Sequence, residues 1–156
     1  MALELIENID DFRRLEPEWN AALEQSRHSG PFLTFEWLLS YLEAFGDESQ
    51  LFLVVVRRDS KIAGLAPLMI NSDNQLVFIG YPHSDYTDFI IVDETPGVLD
   101  EICDFLQANR SRWDKMILDQ MHENLSHWKE LSERLSHQNW PHRLQRFSFA
   151  PPSRSS

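Results

Sequence analysis

Three β-rich runs, LFLVVV, KIAGLAPLMI and QLVFIG, fall within residues 51–80 and are separated only by the turn clusters RRDS and NSDN. Runs of β-branched and aromatic residues joined by such short polar turns predict an antiparallel meander. Pro67 lies inside the second run and has no N–H for a ladder bond, which predicts a bulge there or an edge position for that strand.

Around the meander the periodicity changes. ALELI at residues 2–6 predicts a short strand. Asp10 is placed to cap a helix whose Phe12, Leu15, Trp19, Ala22 and Leu23 recur at helical spacing. Pro17 is tolerated only in a first turn, so the main helix restarts near Glu16 and runs to about Ser26, before Ser29-Gly30-Pro31 breaks the chain. Thr34 caps a second helix with an apolar stripe of Phe35, Leu38, Leu39, Tyr41, Leu42 and Phe45, and Gly46 stops it. A strand at 87–93 (TDFIIVD) precedes a helix opened by Thr95-Pro96 and packed through Val98, Leu99, Ile102, Phe105 and Leu106. A strand at 114–121, a helix capped by Asn124 and striped by Leu125, Trp128, Leu131 and Leu135, and a last strand at 144–149 complete the reading. The order β-α-α-β-β-β-β-α-β-α-β places the chain in the α+β class, with a mixed, largely antiparallel sheet flanked by helices.

A length of 156 residues suits one domain. The opening MALELIENIDDF has no basic region followed by an apolar one, and no apolar run approaches the roughly 18 residues of a membrane span, so a soluble cytoplasmic protein is expected. The lone Cys103 makes no internal disulfide and reads as a small buried residue on a helix. A formal net charge of −11 repels phosphate backbones and argues against nucleic-acid binding. Arg134, Arg143, Arg146 and Arg154, interspersed with His137 and His142, read as a solvated face or tail.

His83, Ser84, Asp85, Tyr86 and Asp88 form the most polar cluster beside an apolar strand, the kind of segment that frames a site at a sheet edge. Sequence neighbours point apart in an extended chain, so His83, Ser84 and Asp85 are not a nucleophilic triad. Ser84, Tyr86 and Asp88 share one face, and a partly buried Asp88 beside Tyr86 could act as a general base toward an amine or hydroxyl. The plainer alternative is that Asp85 and Asp88 satisfy backbone donors in a turn while Tyr86 packs at its edge. Glu36 suits the first turn of its helix through the dipole alone, and Trp37 fits the core equally well. His122, His127, His137 and His142 are spaced five, ten and five residues apart, off any common helical face, so no metal site is expected.

The segments PFLTFEWLLSYLEAFG, LFLVVVRRDSKIAGLAPLMI and LVFIGYPHSDYTDFIIVD together resemble the N-terminal lobe of the CelD/BcsL-type acetyltransferase-like proteins, relatives of the Fem-type aminoacyl transferases. Both lie within the Gcn5-related N-acetyltransferase superfamily. The resemblance covers residues 1–150 and leaves 151–156 as a disordered tail or the start of a linker. It implies a two-lobed N-acyltransferase of envelope or exopolysaccharide biosynthesis. This chain would be the acceptor-binding or structural lobe, and acetyl-CoA or another acyl donor would sit only in a C-terminal lobe missing here. A tryptophan near the acceptor groove of Fem-type relatives makes Trp37, with Asp85, Tyr86 and Asp88, a candidate contact for a sugar or peptide. The superfamily's pyrophosphate loop is rich in glycine, whereas the matching VDETPGVLDE has one glycine, Gly97, among Asp93, Glu94, Asp100 and Glu101. The departure implies that the chain does not bind acyl-CoA by itself. The expected partner is a second lobe in cis, docked on a conspicuous apolar surface, or a homodimer mate. The alternative is a free-standing, non-catalytic binding or regulatory domain. A complete small N-acetyltransferase is the remaining possibility.

Overall fold

The computed structural model describes residues 2–26, 31–83, 87–118, 121 and 127–137. Strands β1 (Ala2–Ile6), β3 (Leu53–Arg58), β4 (Lys61–Ala66) and β7 (Ile90–Ile91) form an antiparallel sheet in the order β1-β3-β4-β7. A second sheet runs β2-β5-β6-β8, from β2 (Gln50–Leu51), β5 (Leu68–Ile70), β6 (Gln75–Phe78) and β8 (Lys115–Ile117). Within it β6 and β8 are parallel. The meander is therefore real, but its first two strands are each divided between the sheets.

The division falls at Phe52 and Pro67. Pro67 lacks a donor, so a seam between two ladders is a position where no strand bond is lost to it. The seam is closed by Phe52 N–H donating to Leu68 O at 3.0 Å and Ile79 N–H donating to Pro67 O at 2.8 Å. The register irregularity lies instead at Val56/Arg57, one strand away. Asp59 and Ser60, with φ of 56° and 68°, make the two-residue turn between β3 and β4 in the left-handed region that the twist of a hairpin favours.

Residues 53–56 of β3 read as continuously apolar because both faces of the strand are covered there. Leu53 and Val55 join a cluster with Phe12, Trp19, Phe35 and Leu38, whereas Val54 and Val56 join one with Phe89, Ile102, Leu106 and Leu131. Helices α1 (Ile9–Arg13), α2 (Glu16–Glu24) and α3 (Phe35–Phe45) thus cover one face, and α4 (Val98–Ala108) and α5 (Trp128–His137) the other. On the first face Phe12 stacks on Phe35 at 4.7 Å, and Trp19 donates its indole N–H to Leu33 O at 2.8 Å. On the second, α4 approaches β4 so closely that a Cβ at Gly64 would lie 2.2 Å from Val98 Cγ1.

Several boundaries differ from the sequence reading. The first helix is capped by Asn8, not Asp10, because the Asn8 side chain accepts from Asp11 N–H at 2.8 Å. The helix breaks at Arg14–Leu15, which puts Pro17 in the first turn of α2. Thr34 caps α3 as expected, through a bond from Trp37 N–H, and Gly46 ends it. The expected strands at 87–93 and 114–121 shrink to β7 and β8. Asn124 and residues 138–156, including the predicted last strand, Arg143, Arg146, Arg154 and His142, lie outside the described residues, as does His122. Arg134 is not a free solvated cation: it pairs with Asp100 at 3.0 Å and with Asp104, tying α5 to α4. Among the described residues, no helix is long and apolar enough to cross a membrane.

Candidate functional site

Trp37, Tyr41 and Phe45 stand at i, i+4 and i+8 on α3, and residues four apart on a helix lie one above the other on a single face. Their rings form a ladder. Trp37 stacks on Tyr41 at 5.6 Å and 12°, Tyr41 meets Phe45 at 4.9 Å, and Phe45 stacks on His83 at 5.4 Å and 22°. Phe32 closes the lower end against the edge of Trp37 at 5.2 Å. The middle of the ladder is buried and its upper end is open: Tyr41 is 7% exposed and Phe45 is 58% exposed, the one large hydrophobic side chain exposed among the described residues.

The upper rungs open on a groove of about 440 Å³ bounded by Tyr41, Phe45, Met69 and Tyr81 and by the polar side chains Glu48, Ser72, Asp73 and Gln75. The turn between β5 and β6 supplies its far wall. Asn71 fixes that turn by accepting from Asp73 N–H and Gln75 N–H, both at 3.0 Å, with Asn74 in the left-handed region. Tyr41 donates its hydroxyl to Tyr81 O at 2.9 Å, which ties α3 to the segment carrying His83. Burial pushes the Tyr41 phenol up, so it stays a neutral donor. An exposed ring beside hydrogen-bonding side chains can stack on a ligand's apolar face while its polar edge is held.

A second polar centre is closed to solvent. Asp88 and His127 are 0% and 2% exposed. Asp88 Oδ1 accepts from Phe89 N–H at 2.8 Å and from His127 N–H at 3.0 Å, while Oδ2 lies 2.8 Å from His127 Nδ1. The other ring nitrogen, Nε2, lies 3.2 Å from the Glu94 carboxylate at the surface. Burial pushes the Asp88 carboxyl up, and the bond and charge from His127 together with the two backbone N–H groups pull against it. Both ring nitrogens therefore face a carboxyl group. The arrangement clamps the start of α5 to the segment leading into β7.

Of the residues singled out in the sequence, Trp37 sits half-buried inside the ladder and Asp88 sits in the buried pair, with a backbone donor as one partner. Asp85 and Tyr86 lie outside the described residues. Glu36 is exposed, and the Asn20 amide bonded to it at 2.8 Å holds it below the usual carboxylate range. The sequence reading joins Tyr41 and Phe45 only as part of an apolar helix stripe and His83 only to the polar cluster, although the 37/41/45 spacing is the signal that unites the first two with Trp37. His127 was grouped only with other histidines, and nothing local pairs it with a residue 39 positions away. No group of histidine, cysteine, aspartate and glutamate that could hold a metal occurs among the described residues.

The first turn of α4 is acidic. Gly97 caps it with φ +83° and no side-chain bond, Asp100 and Glu101 follow, and Asp93 and Glu94 precede it in left-handed conformations. Arg58 is drawn to Glu101 and to Pro96 O.

The architecture is an acetyltransferase-like α+β fold. It is similar to a possible acetyltransferase from Clostridium difficile 630, with a TM-score of 0.51 and 13% identity over 97% of this chain and 99% of that one. Glucosamine-6-phosphate N-acetyltransferase from Arabidopsis thaliana aligns with a TM-score of 0.48, at 16% identity over 94% and 99% of the two chains. A ribosomal-protein-alanine N-acetyltransferase from Brucella melitensis biovar Abortus 2308 aligns at 0.46, with 15% identity over 94% and 100%. No protein-family model and no curated protein matches the sequence.

Proposed function

We propose that this chain is the acceptor-binding lobe of an acyltransferase-like protein that acts on envelope or exopolysaccharide precursors, the acyl donor being held by a second lobe of CelD/BcsL or Fem type. The observation that carries the reading is the aromatic ladder of α3, which brings one exposed ring to a polar groove on an acetyltransferase-like frame. The acidic first turn of α4 supports the second half. A pyrophosphate needs free N–H groups and a favourable field, and the four carboxylates around Gly97, two of them paired with Arg58 and Arg134, oppose it.

A second reading, a free-standing binding or regulatory domain, is favoured by the surface. The broad apolar face expected to receive a partner lobe is not found among the described residues, where Phe45 alone is exposed. Calorimetric titration with acetyl-CoA tests both. The acceptor-lobe and binding-domain readings require no saturable micromolar binding by this chain. Saturable binding would overturn both and make the chain a complete N-acetyltransferase. Sedimentation then separates the remaining two: a homodimer favours the free-standing domain, and a monomer that binds acyl-CoA only when joined to a second lobe favours the acceptor lobe.

A further inference from the structure

The groove beneath Phe45 has a charge as well as a shape. Among the described residues its lining holds two carboxylates, Glu48 and Asp73, and no lysine or arginine. The two come from different elements, Glu48 from the 3₁₀ turn that follows α3 and Asp73 from the turn between β5 and β6. Both side chains are exposed, and the Asn71 bonds that shape the turn use the Asp73 N–H rather than its carboxylate. An anionic ligand would meet repulsion from both. A cation would be held between them and would also gain from the face of Phe45.

The apolar element narrows the class further. Phe45 is 58% exposed, yet its ring is fixed by two aromatic neighbours that also touch each other, Tyr41 at 4.9 Å and His83 at 5.4 Å. A ring held in place loses little entropy on stacking against a ligand. Gln75 and Ser72 add neutral hydrogen-bonding groups to the same groove. A flat C–H face, several hydroxyls and one ammonium group are the complement of such a surface.

We infer that the groove binds an amino sugar, with the sugar ring stacked on Phe45 and its protonated amine between Glu48 and Asp73. The inference rests on the acceptor-groove reading and names its substrate class.

Saturation-transfer NMR on the whole chain, with glucosamine, N-acetylglucosamine and glucose as probes at a pH where the free amine is protonated, tests it. Glucosamine should saturate at concentrations several-fold lower than the two neutral sugars, since each solvent-exposed ion pair adds a small preference. That preference should shrink with added salt. A Glu48→Gln/Asp73→Asn double variant should bind all three sugars alike. Phe45→Ala should lose binding of all three while unfolding at the same temperature as the parent chain, because the ring it removes is mostly exposed. Equal binding of the three sugars by the parent chain, still lost in Phe45→Ala, would overturn the amino-sugar inference and leave the acceptor groove standing. Binding of no sugar, or binding indifferent to Phe45, would overturn both.

Discussion

Two histidines divide the labour of this molecule. His83 lies exposed, stacked on Phe45 at the mouth of the groove, and its ring Nδ1 lies 3.4 Å from the Tyr41 hydroxyl. His127 is buried against Asp88 and joins α5 to the sheet edge. A polar group buried without a partner costs free energy, so the interior pair must be complete. The exposed ring is under no such demand, and its neighbours are free to be chosen for a ligand. The difference teaches that a polar cluster's role follows from its contact with water more than from its residue types.

The comparison breaks most visibly if the buried pair is cut. Asp88→Ala removes the carboxyl group that faces His127 Nδ1 and accepts from two backbone N–H groups, and removing one partner of a buried pair costs about 3–5 kcal/mol. Chemical denaturation should show a loss of that size. A loss below about 1 kcal/mol would mean that water replaces the carboxylate and that the centre is not closed.

A pH titration sharpens the same point. Burial raises the Asp88 carboxyl above its ordinary value, so folding favours its protonated form. The stability this group contributes is full below the ordinary aspartate range and is lost as pH rises through the raised value. Asp88→Asn keeps an acceptor oxygen and does not titrate. The stability of the parent chain relative to Asp88→Asn should therefore fall as pH rises through that window, by about 1.4 kcal/mol for each unit the carboxyl is raised. A difference that grew with pH would mean that the His127 charge outweighs burial and holds the carboxylate ionised.

A smaller effect is expected where the exposed centre meets the core. Tyr41→Phe keeps the ring ladder but removes the bond to Tyr81 O, and should cost about 0.5–1.5 kcal/mol in thermal unfolding. A loss near zero would detach the ladder from the segment that carries His83.

Those two centres also mark how far the sequence could be read. The meander and the Thr34 cap were legible because each rests on local chemistry, turn residues in one and a side-chain oxygen in the other; Gly46 ends its helix where expected, at an ordinary right-handed φ of −83°. The seam at Pro67 was half legible, since the absent N–H announces an interruption without saying that the strand continues in another sheet. Trp37, Tyr41 and Phe45 carry their juxtaposition in their spacing, yet spacing cannot tell a stripe that stays in the core from one that climbs out of it. The Asp88–His127 pair was invisible because it joins segments 39 residues apart, and only the fold brings them together. Cys103 was read correctly from its apolar helix alone: burial pushes its thiol up to about 12, which leaves no thiolate for chemistry.

The smallest effect is the most discriminating. His83→Ala removes an exposed ring whose contacts are a stack on Phe45 and the edge of Tyr41, and a change of that kind shifts stability by no more than about 0.5 kcal/mol. Its effect should appear in binding instead, because without His83 the Phe45 ring keeps one of its two aromatic neighbours and must be ordered when a ligand stacks on it. Denaturation of His83→Ala alongside Asp88→Ala therefore gives the comparison its scale. If the two variants lost similar stability, the exposed histidine would be a structural strut like the buried one, and the groove would owe its shape to folding and not to a ligand.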